Sequence, residues 1–260
     1  MVSDRKGRGR NGAGHAGGQF THRANTPPNG SLAPVQSDLP SGLEELVESA
    51  ARLQDLVPDA VLVGGSEAEH YARQRVSTDH DYVLADLRDR FGFVLDALDH
   101  DGDFVLNRTT PGRIILGELG GIEAGVRQLI RTRPLEVQRV RLRSGAEVTV
   151  PTLEEIARIK AFLIVKRNQM RDYLDVAALS GAYGADVIGD MLAQVDDYYT
   201  DPSHADDHPV QAQLIRQLAQ PAPKDRSLIA DVARRKGLVP RWRNWDDVVA
   251  ECRTLAAHVI

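Results

Sequence analysis

The residues best suited to catalysis or ligand binding are a glycine-rich turn and a pair of carboxylates, separated by twelve residues. The turn is Gly64-Gly65-Ser66, and the pair lies in Asp79-His80-Asp81. Two successive glycines allow a sharp turn and a close approach of ligand to backbone, because no Cβ intervenes. Free N–H groups at such a turn suit a phosphate. On a strand, Asp79 and Asp81 would share one face and His80 would point to the other.

The carboxylate pair predicts a divalent-metal site. Two carboxylates side by side on one face repel each other, and a cation removes that cost. Mg²⁺ prefers a few carboxylates together with phosphate oxygens. Nucleotidyl transfer needs this combination, because metal ions activate the attacking oxygen and neutralise the pyrophosphate leaving group. The alternative is structural: the turn is only a tight strand-to-helix connection, and the aspartates are a solvated strand end.

The hydrophobic pattern predicts the elements that must position these residues. The apolar run Ala60–Val63 predicts a buried strand, and a second strand runs from Asp79 to Leu84. Residues 117–125 are glycine-rich, and we predict an irregular segment there. Thr152 and Glu155 form a capping-box pattern that opens a helix ending near Arg167, and nearly every later periodic segment is helical. Further helices are expected at 41–57 and 87–98, and further strands at 104–106, 113–116, 135–141 and 148–150.

Composition predicts a soluble cytoplasmic protein without a membrane partner. Hydrophobic residues make up 42% of the 260 residues and charged residues 27%. No apolar run reaches the roughly 18 residues of a membrane-spanning helix, and the first residues lack the apolar core of a signal peptide. The single cysteine, Cys252, has no partner for a disulfide, which is typical of a reducing compartment.

The net charge of −5 is unevenly distributed. Residues 1–37 carry a net +4, so the rest carries −9, and residues 1–40 read as a disordered basic leader. The acidic body argues against a broad nucleic-acid-binding surface, which must neutralise phosphates. It does not exclude a local basic cleft, which could be formed by the clustered arginines Arg127, Arg131, Arg133, Arg139, Arg141 and Arg143.

The segment 61–84 resembles the nucleotidyltransferase superfamily pattern, a Gly-Gly/Ser turn followed about a dozen residues later by Asp-x-Asp on a strand. The longer pattern Arg75-x-Ser77-x-Asp79-x-Asp81 is similar to the AbiEii branch, which occurs in abortive-infection and type IV toxin–antitoxin systems. Residues 151–160 resemble the branch's Pro-x-x-Glu…Lys helix, and residues 171–179 resemble its Arg-Asp-x-x-Asp helix. These stretches cover residues 60–179, under half of the chain.

The resemblance implies a set of site residues. They are Gly64, Gly65 and Ser66 for the triphosphate, Asp79 and Asp81 for Mg²⁺, Lys160 for the nucleotide phosphates, and Asp172 and Asp175 to complete the site. A third carboxylate on a later strand is also implied, with Glu136 as first candidate and Glu123 as second. His80 departs from the pattern, whose middle position is commonly apolar. Lys160 and Asp175 could instead form an ordinary interhelical ion pair.

The resulting fold prediction is α+β: a small mixed-sheet nucleotidyltransferase-like domain at 41–152, followed by a helical C-terminal region at 153–260 that completes the active site. The functional hypothesis is an Mg²⁺-dependent nucleotidyltransferase that moves a nucleoside monophosphate from an NTP to an RNA, such as a tRNA 3′ end, or to a protein. The resemblance implies a toxin with a cognate antitoxin. The alternative is a catalytically inactive nucleotide-binding or antitoxin-interacting module of the same fold.

Overall fold

The structure is a computed structural model that describes residues 35–36, 41–64, 71–72, 79–131, 133–200, 209–234 and 238–260. The basic leader lies outside the described residues except for 35–36. Gly65 and Ser66 of the turn, and Arg75 and Ser77 of the longer motif, also lie outside them.

The described strands form two sheets. They are β1 (Val35–Gln36), β2 (Val61–Leu62), β3 (Asp79–Leu84), β4 (Phe104–Thr110), β5 (Ile114–Leu119), β6 (Ile122–Gln128), β7 (Val137–Arg141) and β8 (Glu147–Pro151). The larger sheet is mixed, with the order β2-β3-β6-β5-β4. In it β3 and β6 run parallel, and the other neighbours are antiparallel. The smaller sheet has the order β1-β7-β8.

The glycine-rich segment 117–125 is not irregular, so that prediction is wrong. It forms the ends of β5 and β6, which are joined by a tight turn at Gly120 and Gly121 with φ of 58° and 82°. Positive φ at both turn positions gives the turn a twist that matches the twist of the two strands it joins. Gly117 is required for packing rather than for flexibility, because an added Cβ would lie 2.6 Å from the carbonyl oxygen of Val105.

The helices of the described residues lie mainly after the sheets. They are α1 (Ser41–Leu56), α2 (Leu87–Asp99), α3 (Leu153–Arg167), α4 (Met170–Tyr183), α5 (Ala185–Leu192), α6 (Val210–Ala219) and α7 (Trp245–Ala256), with short 3₁₀ turns at Val195–Asp197, Arg226–Arg234 and Pro240–Arg243. No helix in the described part of the chain is long and apolar enough to cross a membrane.

The reversal between α3 and α4 is fixed by caps at both ends of α3. Thr152 accepts a hydrogen bond from the backbone N–H of Glu155, as the capping pattern predicts. Asn168 ends the helix in the left-handed region, with φ of 52°. Its side-chain oxygen accepts a 2.6 Å hydrogen bond from Tyr173 on α4. The two helices therefore meet in a defined orientation.

Two large hydrophobic clusters form the core. One is built by α1, α2, the larger sheet and β7–β8, and includes Leu53, Tyr82 and Leu98. The other is built by α3 and the later helices, and includes Ile156 and Tyr173. A third, smaller cluster joins the sheet to α3 through Val61, Val83, Leu129, Leu135, Val137 and Ile159. The predicted α+β class, mixed sheet first and helices after, is confirmed.

Candidate functional site

Strand β3 presents its two carboxylates on one face, as its alternating pattern predicts. Asp79 and Asp81 are half-buried, whereas His80, Tyr82 and Leu84 are buried on the opposite face. The backbone N–H of Val63 donates to the carbonyl of Asp81 at 2.8 Å, so the chain leading to the glycine turn lies directly beside the carboxylate pair.

Two glycines make room around Asp81. A Cβ on Gly64 would lie 3.1 Å from the backbone nitrogen of Asp81. A Cβ on Gly125, the residue paired with Asp81 across the β3–β6 ladder, would lie 3.0 Å from its Oδ1 and 2.9 Å from Leu116. At all three distances an added Cβ would force the neighbouring atom to move. The first glycine of the predicted turn therefore packs against the strand that carries the carboxylates.

A cavity of about 280 Å³ lies over this face of the sheet. The volume is near the lower end of small-molecule sites. The charged and glycine residues that line it come from both parts of the fold and are Gly64, Asp79, Asp81, Arg127, Lys160, Arg167, Arg171 and Asp175. Five of these were predicted as site residues, so the structure brings Gly64, the Asp-x-Asp strand and the two helices together.

Helices α3 and α4 supply the cationic side of the cavity. Lys160 donates to Asp175 at 2.9 Å, and both side chains are buried. Arg167 binds both oxygens of Asp172 at 2.8 and 2.6 Å. Asp172 is fully buried and, unlike Asp175, is not among the residues that line the cavity. It holds Arg167, whose guanidinium does reach the cavity.

The charge of Arg167 depends on the carboxylates around it. Burial alone would lower its pKa, but the hydrogen bonds to Asp172 and the charges of Asp172, Asp175 and Asp81 raise it above its ordinary value. The influence of Asp81 follows from their shared position at the cavity. Arg167 is therefore a permanent positive charge opposite the β3 carboxylates.

The cavity also has an apolar and aromatic part to its lining. These residues are Val63, Val83, Leu129, Ile130, Ile159, Phe162, Leu163 and Tyr199. Phe162 and Tyr199 stack with ring centroids 4.2 Å apart and planes inclined by 13°. Burial, opposed by Arg131, raises the pKa of Tyr199 to about 12, so its hydroxyl stays protonated at neutral pH. A ligand with both charged and planar apolar groups would match this mixed lining.

A buried ion pair ties the loop before β7 to α3. Arg131 binds Glu155 through both guanidinium nitrogens, and both side chains are almost inaccessible to solvent. Arg131 also donates to the carbonyls of Arg133 and Pro134. Burial opposes its charge, but the hydrogen bond to Glu155 raises its pKa. Arg131 also lies 3.4 Å from the hydroxyl of Tyr199, so the pair contacts a residue that lines the cavity.

The six clustered arginines, considered above as a possible basic cleft, do not share one surface. Arg127 lines the cavity, whereas Arg131 is buried against Glu155. Arg139 lies on β7, in the other sheet, and pairs with Glu147 at 3.6 Å on the surface. These side chains are close in sequence but belong to different sheets and faces. Proximity in sequence therefore did not translate into one surface.

His80 occupies the buried side of β3, directly behind the carboxylates. Its Nδ1 lies 3.4 Å from the hydroxyl of Tyr82, and its Nε2 has no hydrogen-bond partner among the described residues. Burial lowers its pKa from 6.5 to about 4, although Asp79 and Asp81 act in the opposite direction. His80 is therefore neutral at physiological pH and does not face the cavity.

The two candidates for a third carboxylate occupy different places. Glu136 contacts Arg158 at 3.3 Å and accepts from the hydroxyl of Tyr198 at 3.2 Å, outside the residues that line the cavity. Glu123 is paired with Asp79 across the parallel β3–β6 ladder. Paired residues of neighbouring strands point to the same face of a sheet. Glu123 is exposed and also lies outside the lining set.

The donor set at β3 fits a hard divalent cation. Two carboxylates on one strand face, beside a glycine whose position a Cβ would fill, are the ligands that Mg²⁺ shares with phosphate oxygens. Within the part of the chain that the structure describes, no group of three or more acidic, histidine or cysteine side chains is gathered for a metal. Asp79 and Asp81 would therefore be the protein's ligands to the metal ion, and a bound substrate or water would supply the other ligands.

Sequence reasoning did not assign the arginines of the cavity. Arg127 was expected in a surface cleft, and Arg171 only as part of a helix motif. Arg167 ends α3, where a basic residue is usual for the helix dipole. The available signal was spacing, because 159, 163 and 167 and also 171 and 175 repeat at four residues and share helix faces. Nothing in that spacing says which face meets β3.

No protein-family model matches the chain. It is 27% identical over 245 residues to the mycolic acid-containing lipids exporter MmpL11 of Mycolicibacterium smegmatis, an alignment that covers 88% of this chain and 22% of that protein. It is 27% identical over 243 residues to the heme uptake protein MmpL11 of Mycobacterium tuberculosis, with 83% of this chain and 22% of that protein covered. The chain thus spans about a fifth of the length of these curated relatives.

Among solved structures, the chain is similar to a proposed nucleotidyltransferase from H. pylori, with a TM-score of 0.49 and 16% identity over 86% of this chain and 95% of that one. It is also similar to an antigenic nucleotidyltransferase-like protein from Paracoccidioides brasiliensis, with a TM-score of 0.44 and 18% identity over 76% of this chain and 94% of that one. At these identities the likeness concerns the fold alone.

Proposed function

We propose that this protein is an Mg²⁺-dependent nucleotidyltransferase, which transfers a nucleoside monophosphate from an NTP to a hydroxyl of an RNA or a protein. The observation that supports this most directly is a single cavity lined by two carboxylates and four cations. They are Asp79, Asp81, Arg127, Lys160, Arg167 and Arg171. Opposed carboxylates and cations suit a ligand that carries both a metal ion and a polyphosphate. The apolar and aromatic side chains of the same lining suit a nucleobase.

The roles of the protein groups follow from their positions. Asp79 and Asp81 would hold Mg²⁺, which when bound supplies positive charge to the reacting phosphate and to the leaving pyrophosphate. Lys160 and Arg167 are each fixed by a buried carboxylate, so they present positive charge without reorganisation. Gly64, which lies beside Asp81 and has no Cβ, would allow phosphate oxygens to approach backbone N–H groups closely. The turn residues Gly65 and Ser66 would complete that contact.

The test is a labelling assay with purified protein, Mg²⁺, each α-³²P-NTP, and an extract of RNA and protein. Asp79→Asn and Asp81→Asn should abolish label transfer while leaving the urea unfolding midpoint nearly unchanged, because half-buried carboxylates contribute little to folding. Asp99→Asn, which alters an exposed carboxylate at the end of α2, is the matched control and should transfer normally. Transfer by well-folded Asp79→Asn would refute the proposed metal-binding role.

The acceptor is identified by the same experiment. Label that enters RNA and is removed by ribonuclease supports an RNA acceptor, whereas protease-sensitive label supports a protein hydroxyl. The resemblance of the 75–81, 151–160 and 171–179 segments to AbiEii-type toxins further suggests growth arrest as the outcome and a cognate antitoxin as partner. Induced expression of wild type and Asp79→Asn in a bacterium tests this: arrest by wild type only supports a toxin.

The third carboxylate can be decided by a matched pair of variants. Glu123 is the better candidate, because the β3–β6 register places it beside Asp79, whereas Glu136 is engaged with Arg158 and Tyr198. Glu123→Gln should lower the transfer rate by about tenfold or more. Glu136→Gln should leave the rate within about twofold. The opposite ranking would favour Glu136.

A second candidate function is nucleotide binding without catalysis. The observations in its favour are the Arg127–Asp81 contact at 3.2 Å and the lack of a three-carboxylate group among the residues described. Under this hypothesis the protein binds NTP tightly but releases no pyrophosphate with any acceptor fraction. Pyrophosphate release above the Asp79→Asn background would exclude it.

A further inference from the structure

Among the cations that line the cavity, Arg127 is distinguished by its contact with the carboxylate of Asp81. It lies on β6, paired with Val83 across the parallel ladder, two residues along from the Gly125–Asp81 pair. Its Nε lies 3.2 Å from Oδ1 of Asp81, so it forms an ion pair with one of the two proposed metal ligands. The side chains of Arg127 and Asp81 are 47% and 35% exposed. This ion pair can therefore break without burying an unpaired charge.

The other paired cations of the cavity hold different partners. Lys160 is bound to Asp175, and both are buried. Arg167 is bound to Asp172, which is fully buried and does not line the cavity. Neither carboxylate belongs to β3. Binding of a cation at β3 would thus leave these two contacts in place.

A divalent cation and a guanidinium compete for Asp81. Both are positive, and an ion pair between partly exposed unit charges is weak, so Mg²⁺ with its higher charge can displace Arg127. The displaced guanidinium stays at the cavity, whose lining it already forms. Guanidinium groups bind phosphate through a fixed fork of donors, which makes the polyphosphate of an NTP the natural new partner.

We propose that Arg127 couples divalent-cation binding to triphosphate binding: it neutralises Asp81 in the ligand-free protein and, once a cation takes Asp81, turns to the phosphates. The inference rests on the proposed function, because it requires Mg²⁺ and an NTP in this cavity. It adds a regulatory property to that site. The metal-free protein is kept from binding NTP through Arg127, and the nucleotide-free protein binds the cation weakly. Arg127 is a positioning residue for the triphosphate rather than a group that reacts.

The test measures two affinities that the proposal moves in opposite directions. Mn²⁺ alone is titrated into metal-free full-length protein and followed by electron paramagnetic resonance. Each of the four α,β-imido nucleoside triphosphates is then titrated calorimetrically at saturating Mg²⁺. In Arg127→Gln, Mn²⁺ should bind about threefold tighter than in wild type, because its competitor is gone. The best nucleotide analogue should bind about tenfold more weakly, because a charged hydrogen bond to phosphate is lost.

Two controls separate this from a general charge effect. Arg139→Gln removes one positive charge from an arginine that also pairs with a carboxylate, Glu147, but it lies outside the cavity lining. It should change neither affinity by more than about twofold. Arg127→Lys retains the charge but not the fork of donors, so it should restore the wild-type Mn²⁺ affinity and only part of the nucleotide affinity.

The outcomes distinguish the inference from the proposed function. Tighter Mn²⁺ binding together with weaker nucleotide binding in Arg127→Gln supports the coupling. Normal binding of both ligands by wild type, with Mn²⁺ affinity unchanged or reduced in Arg127→Gln, overturns the coupling but leaves the function standing. Unchanged nucleotide affinity in Arg127→Gln also overturns it. Failure of wild type to bind either ligand overturns both.

Discussion

The buried histidine behind the carboxylate strand makes the stability of this protein depend on pH in a predictable way. His80 is 1% exposed, and burial lowers its pKa from 6.5 to about 4. The unfolded chain binds a proton near pH 6.5, whereas the folded chain resists it until about pH 4. The folded state therefore loses stability as the pH falls from 6.5 towards 4, and the loss is complete below the folded pKa.

The magnitude follows from the two pKa values. Between pH 7 and pH 5, the unfolded state gains protonation free energy that the folded state does not, and the difference amounts to about 2 kcal/mol. His80→Leu removes the titrating group and also the Nε2 that lacks a hydrogen-bond partner among the described residues. The variant should therefore lack this part of the pH dependence.

Urea unfolding of wild type and His80→Leu at pH 7, 6 and 5 measures the effect. The difference in free energy of unfolding between the two proteins should shift by about 2 kcal/mol in favour of the variant over this range. Comparing the two proteins cancels the contributions of the other acidic and basic groups. Parallel curves, with a constant difference from pH 7 to pH 5, would refute the argument that His80 is buried in its neutral form.

Three further predictions follow from particular contacts. Gly125→Ala should reduce nucleotidyl transfer by about a hundredfold with a smaller effect on the urea midpoint, because its Cβ would press on the Asp81 carboxylate; unchanged transfer in a folded variant would contradict the packing described. Lys160→Met should destabilise the protein by about 3–5 kcal/mol, since it removes the buried cation that pairs with the Asp175 carboxylate, whereas Lys160→Met combined with Asp175→Leu should recover most of that loss in urea unfolding; equal loss in both would argue against a buried pair. Cys252 is buried, and burial raises its thiol pKa, so alkylation by iodoacetamide should occur only at the rate of unfolding, and rapid labelling of native protein would disprove its burial.

Local pattern was enough to predict much of the fold. Alternation on Asp79–Leu84 placed the carboxylates on one face of a strand, because successive side chains point to opposite sides whatever the tertiary context. The helix after Thr152 began and ended close to the predicted residues, because capping is a local interaction. The prediction of an irregular segment at 117–125 was wrong, because it was based on glycine content alone. Glycine is required there for close packing against neighbouring strands, which only the tertiary structure shows.

The sequence by itself therefore determined the chemical types available: two carboxylates on one strand face, a glycine turn before them, and two helices carrying lysine, arginine and aspartate. Only the tertiary structure decided which of these groups meet. The β3–β6 register brings Arg127 to Asp81, and the α3–α4 reversal brings Lys160 to Asp175. Those pairings depend on strand register and helix packing between residues far apart in the chain, and local periodicity carries no information about either.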